Sequence, residues 1–307
     1  MASLWMLAAA FLFSVMGACV KLASAHFSIA EIVMYRGGTG VLLIGLLVWH
    51  QRGSLRTVHI KDHLWRGLVG VVSLWLWFYG ISKLPLATAV TLNYMAPIWM
   101  AAWLFCAGWW HSKDHVEWPL VLAILFSFIG VTLVLQPAFE AQQWLGAITT
   151  LGSGMLSAAA YLQVRKLSQL GEPEYRVVFY FSCMNLAAGL VGSATTVLDP
   201  AVDTFHALDW KSAGLLLLMG TSATLAQLAM TRAYAVGKTL VVANLQYTGI
   251  IFSSIWSMLL WGDRFDWHVW LGMAVILASG LAITYYNTRS TDRGKAVDKS
   301  DPIASET

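Results

Sequence analysis

The sequence predicts an all-α integral membrane protein in which ten transmembrane helices form two inverted five-helix repeats. Three observations carry that prediction. Of the 307 residues, 58% are hydrophobic and only 11% charged, whereas a soluble domain usually carries about 25% charged residues. Ten apolar segments, each near the roughly 20 residues with which a helix crosses a bilayer, fill almost the whole chain. The last five repeat the first five, and an odd number of spans per repeat points the two repeats in opposite directions.

The first segment, 2–23, lacks a basic stretch and a small-residue cleavage site, so it reads as a span and not as a cleavable signal. The second, 29–49, holds Glu31 and Arg36, and the third, 64–82, brings Trp75, Trp77 and Tyr79. The fourth, 86–109, carries Asn93, Tyr94 and Pro97; proline removes a backbone donor and bends a helix. The fifth, 118–136, is apolar nearly all round, unlike the amphipathic helix of a soluble bundle. Small residues crowd the sixth, 143–164, from Gly152 to Ala159, as they do Gly37, Gly38 and Gly40 of the second. In lipid such residues let helix backbones approach and gain van der Waals contact. The remaining spans are 177–198, 211–231, 239–261 and 267–287. Repeat one is about 2–137 and repeat two about 143–287, together a single domain over 1–287. The polar stretch 288–307 has no apolar period and reads as a disordered cytoplasmic tail.

The internal match is clearest between spans four and nine. Leu92, Asn93, Tyr94 and Trp103 correspond to Leu245, Gln246, Tyr247 and Trp256 at one constant offset. Val20 and Lys21 correspond to Val164 and Arg165, and Tyr35 to Tyr180. Pro97 has Ile250 as its counterpart, preceded by Gly249, so the two segments are expected to bend differently. Repeats of this inverted kind give many secondary transporters two near-equivalent states, one open to each side.

Lys and Arg fall mainly in alternate loops. Of the 19, only Lys21, Arg36, Lys83, Lys211 and Arg264 lie elsewhere; Arg66 is counted with the loop residues. The positive-inside rule makes the richer side cytoplasmic. Both termini then face the cytoplasm of a multi-pass inner or plasma membrane protein, and the loop with Asp199, Asp203 and Asp209 faces out.

Cys19, Cys106 and Cys183 sit within spans as small apolar residues, which implies no disulfide framework. The helical spacings of His59 with His63 and of His111 with His115 allow a metal in principle, but neither pair has a third ligand at motif spacing. No metal and no cofactor is expected. Most of the 16 Trp residues lie near span ends as an interfacial belt; Trp75, Trp77, Trp99, Trp103 and Trp256 do not.

Ionisable residues inside a membrane are costly and are functional candidates by default. Arg36 lies about 10 Å along its helix from the outer end, deep enough to require a partner. It either binds an anionic group of a substrate, or is tied to Glu31 or free carbonyls, or snorkels to the interface. Lys21 poses the same choice, with anchoring favoured. Polar side chains at mid-depth supply the candidate substrate contacts: Asn93, Tyr94, Tyr161, Gln227, Asn244, Gln246 and Tyr247, with Trp77 and Tyr79 as aromatic neighbours. Each polar residue can instead be interhelical glue, the reading preferred for Asn185.

The string Lys83-Leu84-Pro85-Leu86-Ala87-Thr88-Ala89-Val90, running into Asn93-Tyr94-Met95-Ala96-Pro97, resembles the start of the fourth helix in the EamA-type branch of the drug/metabolite transporter superfamily. Ser14 to Lys21 and Glu31 to Arg36 are similar to the end of its first helix and the start of its second. The resemblance covers 2–287. It implies a carrier of small metabolites whose central cavity is formed mainly by helices one, three, four, six, eight and nine.

The expected activity is secondary transport of a small polar or zwitterionic metabolite, such as an amino acid or related compound, by alternating access and in the export direction. The partners are then a small-molecule substrate and the lipid bilayer, without nucleic acid, in a monomer or homodimer. A lipid-modifying transferase would need an interfacial catalytic group, and the loop residues His111, Asp114, His115 and Glu117 form no such motif. A channel would call for rings of polar groups. A proton-coupled exporter of drug cations would want a central carboxylate, and Glu31 lies too near the outer end.

Overall fold

The computed structural model describes residues 2–100, 102–103, 126, 129–130, 133, 141–197, 206, 208–237, 242–243, 245–275, 277–279, 281–282 and 285. All but isolated positions of the fifth span, the distal part of the fourth, the loop with Asp199 and Asp203, Asn244 and the tail 288–307 lie outside the described residues. So do Cys106 and the cluster of His111, Asp114, His115 and Glu117.

Eight helices organise the described chain: α1 (Ala2–Ala23), α2 (Ile29–His50), α3 (Ile60–Lys83), α4 (Leu86–Asn93), α5 (Ala141–Gln169), α6 (Glu174–Val197), α7 (Trp210–Val236) and α8 (Thr248–Trp261). Among the described residues six of these, α1 to α3 and α5 to α7, are long and apolar enough to cross a membrane, and a shorter apolar helix follows at Trp267–Ser279.

Local chemistry sets several ends. Ser28 and Glu31 form a capping box at the start of α2, where the Ser28 side chain accepts from the Glu31 N–H and the Glu31 carboxylate from the Ser28 N–H at 2.8 Å. Asp209 caps α7 by accepting from the Ser212 N–H at 2.8 Å. Helix α3 starts at Ile60, one turn before the apolar run, with His59 at the N-cap position and no side-chain capping bond. The consequence is a correction: Arg66, counted above with the loop charges, lies in the second turn of α3 and is buried.

The bundle is built from cross-pairings between the two halves of the chain. Helix α2 packs against α6, α1 against α7 and α3 against α5; α4 touches α5 and α8, and α8 touches α1. Along the α3–α5 pair Lys166 donates to Asp62 at one end while Gly80 faces Thr150 at the other, so the two run antiparallel. Close approach depends on glycine at the α2–α6 crossing, where a Cβ on Gly37 would strike the backbone of Leu186 and one on Gly189 the backbone of Met34. One large apolar core runs between α1, α3, α4, α5, α7 and α8. Outward-facing Leu42, Leu46, Leu217 and Leu259 are exposed, as lipid-facing side chains must be in a protein that keeps its polar backbone inside. Trp49, Trp65, Trp144, Trp210, Trp267 and Trp270 are exposed near helix ends, the positions of a membrane-interface belt.

Gly37→Ala is expected to destabilise the detergent-solubilised protein by about 1–3 kcal/mol through overpacking. Gly45→Ala, at a site with nothing within 4 Å of an added Cβ, should be neutral or stabilise by up to about 1 kcal/mol through better helix propensity. Melting temperatures of the two variants check the contrast.

Candidate functional site

Two helices are interrupted inside the bundle. After Asn93 the chain makes a turn at Tyr94–Met95 and resumes as helix over 96–100. The other interruption is a turn at Gln246–Tyr247, just before α8. Both are tightened by bonds to the third residue back: Met95 N–H to Leu92 and Ile98 to Met95 in the first, Gln246 to Ala243 and Gly249 to Gln246 in the second. Both segments, expected to bend differently, are interrupted at the same level of the repeat. Pro97 supplies no N–H, leaving the Asn93 carbonyl unclaimed within its helix. In the second segment, Gly249 leaves room for the Tyr94 ring, which a Cβ there would strike. Turn therefore packs against turn.

Beside them lies a narrow cavity of about 40 Å³ that opens in part to solvent. Its wall draws on α1 (Phe13), α2 (Arg36), α3 (Arg66, Ser73, Trp77), α4 and its turn (Asn93, Tyr94), α5 (Ser157, Tyr161), α6 (Phe181), α7 (Gln227) and Gln246. Of the sequence candidates, Arg36, Trp77, Asn93, Tyr94, Tyr161, Gln227 and Gln246 come together here. Two do not. Tyr79 is half-buried against Lys83, whose ammonium lies 5.9 Å from its ring, and Tyr247 is buried at the start of α8, off the wall. Asn244 lies outside the described residues.

One side of the wall is already tied together. Asn93 donates to Ser153 Oγ at 2.8 Å, Ser153 donates to the Ser73 carbonyl at 2.7 Å, and Ser73 and Ser157 hydroxyls are 2.8 Å apart. Asn93 is thus interhelical glue between α4 and α5 as well as wall. Asn185 donates to the Phe181 carbonyl one turn back, within its own helix.

The other side is charged. Arg36 and Arg66 are 4% and 3% exposed. Their guanidinium carbons lie 5.2 Å and 4.0 Å from the centroid of the same ring, Phe181. Arg66 donates a long 3.4 Å hydrogen bond to Gln227. Nε of Arg36, and Nε and Nη1 of Arg66, have no hydrogen-bond partner, and neither residue forms a salt bridge among the described residues. Glu31 is not the partner of Arg36. Its carboxylate is taken by Ser28 and by the His206 backbone N–H and ring nitrogen, at 2.9 and 3.0 Å.

Sequence reasoning missed Arg66, Ser73, Ser157, Phe13 and Phe181. For Arg66 a signal existed: it follows Trp65 within an apolar stretch, three residues inside the third span. Phe13 and Phe181 carry no signal that separates a wall aromatic from a core one. Lys21 donates to the Leu84 carbonyl at 2.6 Å. Trp256 donates to Ser14 at 3.2 Å, and Trp103 is exposed on the bundle surface.

Both ends of the bundle are joined by polar contacts. At one end the buried Glu172, on the α5–α6 turn, accepts from Thr57 and from Arg176 (2.8 Å) and lies 3.3 Å from His63. Arg176 and Tyr180 also donate to the carbonyls of Ser54 and Leu55. The chain segment between α2 and α3 is thereby held to the start of α6. At the opposite end, Glu31 holds His206 and Lys21 holds Leu84. Burial alone would raise the Glu172 carboxyl, but hydrogen bonds from Thr57 and Arg176, with His63 close by, win and hold it below its ordinary value.

A family model, the EamA-like transporter family, matches residues 1–136. The pseudopaline exporter of Pseudomonas aeruginosa is 32% identical over 278 residues, spanning 90% of this chain and 93% of that protein. The riboflavin transporter of Vibrio cholerae is 26% identical over 301 residues, 96% of each. A crystal structure with 14% identity superposes with a TM-score of 0.65, covering 92% of this chain and 98% of that one, a likeness of fold.

A carboxylate whose folded-state pKa is depressed stabilises the fold above its ordinary pKa, and that contribution is lost as pH falls through the depressed value. Glu172→Gln is therefore expected to lower the melting temperature at pH 7, with the difference from wild type shrinking as pH drops below about 4. Thermal denaturation of both proteins across pH checks it.

Proposed function

Because the chain belongs to the EamA-like transporter family, we propose that it is a secondary carrier that moves a small polar or zwitterionic metabolite across the membrane by alternating access. The observation that carries this reading is the pair of helix interruptions flanking one polar cavity. Broken helices at a repeat interface are where transporters of inverted-repeat design bind their cargo, and irregular backbone in a bilayer is tolerated only where protein or a wet cavity covers it.

Two further observations support ten spans in two inverted repeats. Exchanging the first half of the chain for the second turns the α1–α7 pairing into α5–α3 and leaves α2–α6 and α4–α8 as they are. The family match ends at 136, where the first repeat is expected to end. The loop charges favour cytoplasmic termini. The relative named as an exporter favours outward transport. No acidic residue lines the described wall, which weighs against a carrier that holds a drug cation and a proton in turn on one carboxylate. The named relatives are transporters, and the chain is not read as an enzyme.

Reconstituted in proteoliposomes, the protein is expected to accumulate or release at least one metabolite from a panel of amino acids, organic acids and nucleosides, at rates that Trp77 or Gln246 substitutions change. Failure across the panel, with and without an imposed pH gradient, would overturn the carrier reading. Cysteine introduced at residue 203 should be labelled from outside intact cells, and cysteine at residue 58 should not; the reverse pattern overturns the topology.

A further inference from the structure

The two arginines of the cavity are not explained by packing. A guanidinium carries five donors and cannot shed its charge, and an embedded cation is normally matched by a carboxylate or by carbonyls. Here two of them share one phenylalanine ring, so they lie no farther apart than their two ring distances combined. Their carboxylate neighbours are absent among the described wall residues, and Glu31, the nearest acidic residue on the same helix as Arg36, is fully engaged elsewhere. Three guanidinium nitrogens remain buried without a partner. Trp77 Nε1, also on the wall, is a fourth unpartnered donor. The site thus offers donors and positive charge in excess, held in place by Phe181.

Resting on the reading of this chain as a metabolite carrier, we infer that its cargo is a small anion bearing at least two carboxylate groups, bound with Arg36 and Arg66 as its two counter-charges. Guanidinium and carboxylate match as planar forks with two parallel hydrogen bonds, which two compact ammonium groups would not provide. A dicarboxylate neutralises both charges at once. A monocarboxylate leaves one buried cation unmatched, and a cation meets repulsion from both. The Phe181 face presented to both guanidiniums fixes their orientation without consuming their donors, leaving the forks for the ligand.

This arrangement has a thermodynamic signature that a structural role would not share. Residues retained for binding at the expense of stability can be replaced with a gain in the empty protein. The test uses the full chain in detergent, with succinate, 2-oxoglutarate and iminodiacetate as probes, inorganic phosphate as a different oxyanion, succinamide as the neutral analogue and putrescine as the cation, at matched ionic strength. At least one dicarboxylate should raise the melting temperature of wild type by several degrees, while succinamide and putrescine do not. Arg36→Gln and Arg66→Gln should each weaken the apparent affinity for that probe tenfold or more, and Arg36→Lys, which keeps charge and loses the fork, should weaken it less than Arg36→Gln. Without ligand, the Gln variants should melt at or above the wild-type temperature. The inference is overturned if no dicarboxylate binds, if phosphate alone does, or if putrescine or succinamide binds as well as succinate. It is also overturned if the Gln variants melt lower and bind unchanged, which marks the arginines as structural. Transport of a neutral or cationic solute that survives both Gln substitutions would overturn this inference and leave the carrier reading standing, whereas dicarboxylate binding without transport of any solute would do the opposite.

Discussion

The absence of water from a bilayer core is the constraint on which the rest of this structure depends. Every backbone N–H and C=O inside it needs an internal partner, so a helix can stop there only where protein or a wet cavity takes over. Among the described residues the helix stops there twice, at Tyr94–Met95 and at Gln246–Tyr247. The freed groups are met in three ways: bonds to the third residue back, turn packed against turn through Tyr94 and Gly249, and the cavity itself. Gly154 on α5 belongs to the same solution, since a Cβ there would crowd the Asn93 and Leu92 carbonyls. The small residues of α5 thus do more than bring helices together. They leave carbonyl oxygens room at the point where the helix of α4 ends.

With the backbone accounted for, the side chains divide the cavity into two unlike walls. The wall formed by α3, α4 and α5 is a closed chain of hydrogen bonds from Asn93 through Ser153 to Ser73 and Ser157; it is satisfied and therefore rigid. The wall formed by α2, α3 and α6 is unsatisfied. Two guanidiniums no more than about 9 Å apart repel by at least about 2 kcal/mol at an effective dielectric of 20, a cost that hydrogen bonding to Gln227 at 3.4 Å does not remove. A rigid face thus stands opposite an electrostatically strained one, and on the proposed carrier reading most of the selectivity would reside on the strained side.

Much of this was legible in the sequence, and the gaps have physical causes. Apolar runs mark helices well because lipid tolerates little else, and α1, α2, α6 and α7 begin and end within a few residues of expectation. The repeat offset set Asn93 and Tyr94 against Gln246 and Tyr247, and the structure interrupts both helices at that level. Sequence pattern does not reveal, however, that a glycine can accompany an interruption as a proline does, because the cause is the neighbouring Tyr94 ring and lies in another segment. Arg66 was misread because charge near a span end ordinarily escapes to water; here Phe181 and Gln227, distant in sequence, hold it inward. Asn93 looked equally suited to glue or to contact, and it lines the wall while holding Ser153. Tyr79 and Tyr247 were placed with the site by their sequence depth, but neither lines the cavity; which way a side chain faces is decided by helix rotation, which a depth argument ignores.

The ends of the bundle decide what the cavity can do with an occupant. At the Glu172 end one buried carboxylate accepts from a hydroxyl and a guanidinium and lies beside the His63 imidazole, tying the α2–α3 connection to the start of α6. Opening there strands that carboxylate unless water enters, and truncating one partner of a buried charge pair is costly for the same reason. At the Glu31 end the carboxylate holds its own helix cap and His206 together, and Lys21 holds the Leu84 carbonyl. Each half of the chain therefore supplies one buried acid to one end, and neither acid reaches the cavity. A ligand shifts such an equilibrium only by its differential affinity for the two states. Since Arg36 stands on the helix capped by Glu31, and Arg66 one turn beyond His63 on α3, a ligand bridging the two arginines would act on elements tied to opposite ends. On the carrier reading proposed above, such a ligand would link the occupancy of the cavity to both ends through α2 and α3, without touching either end.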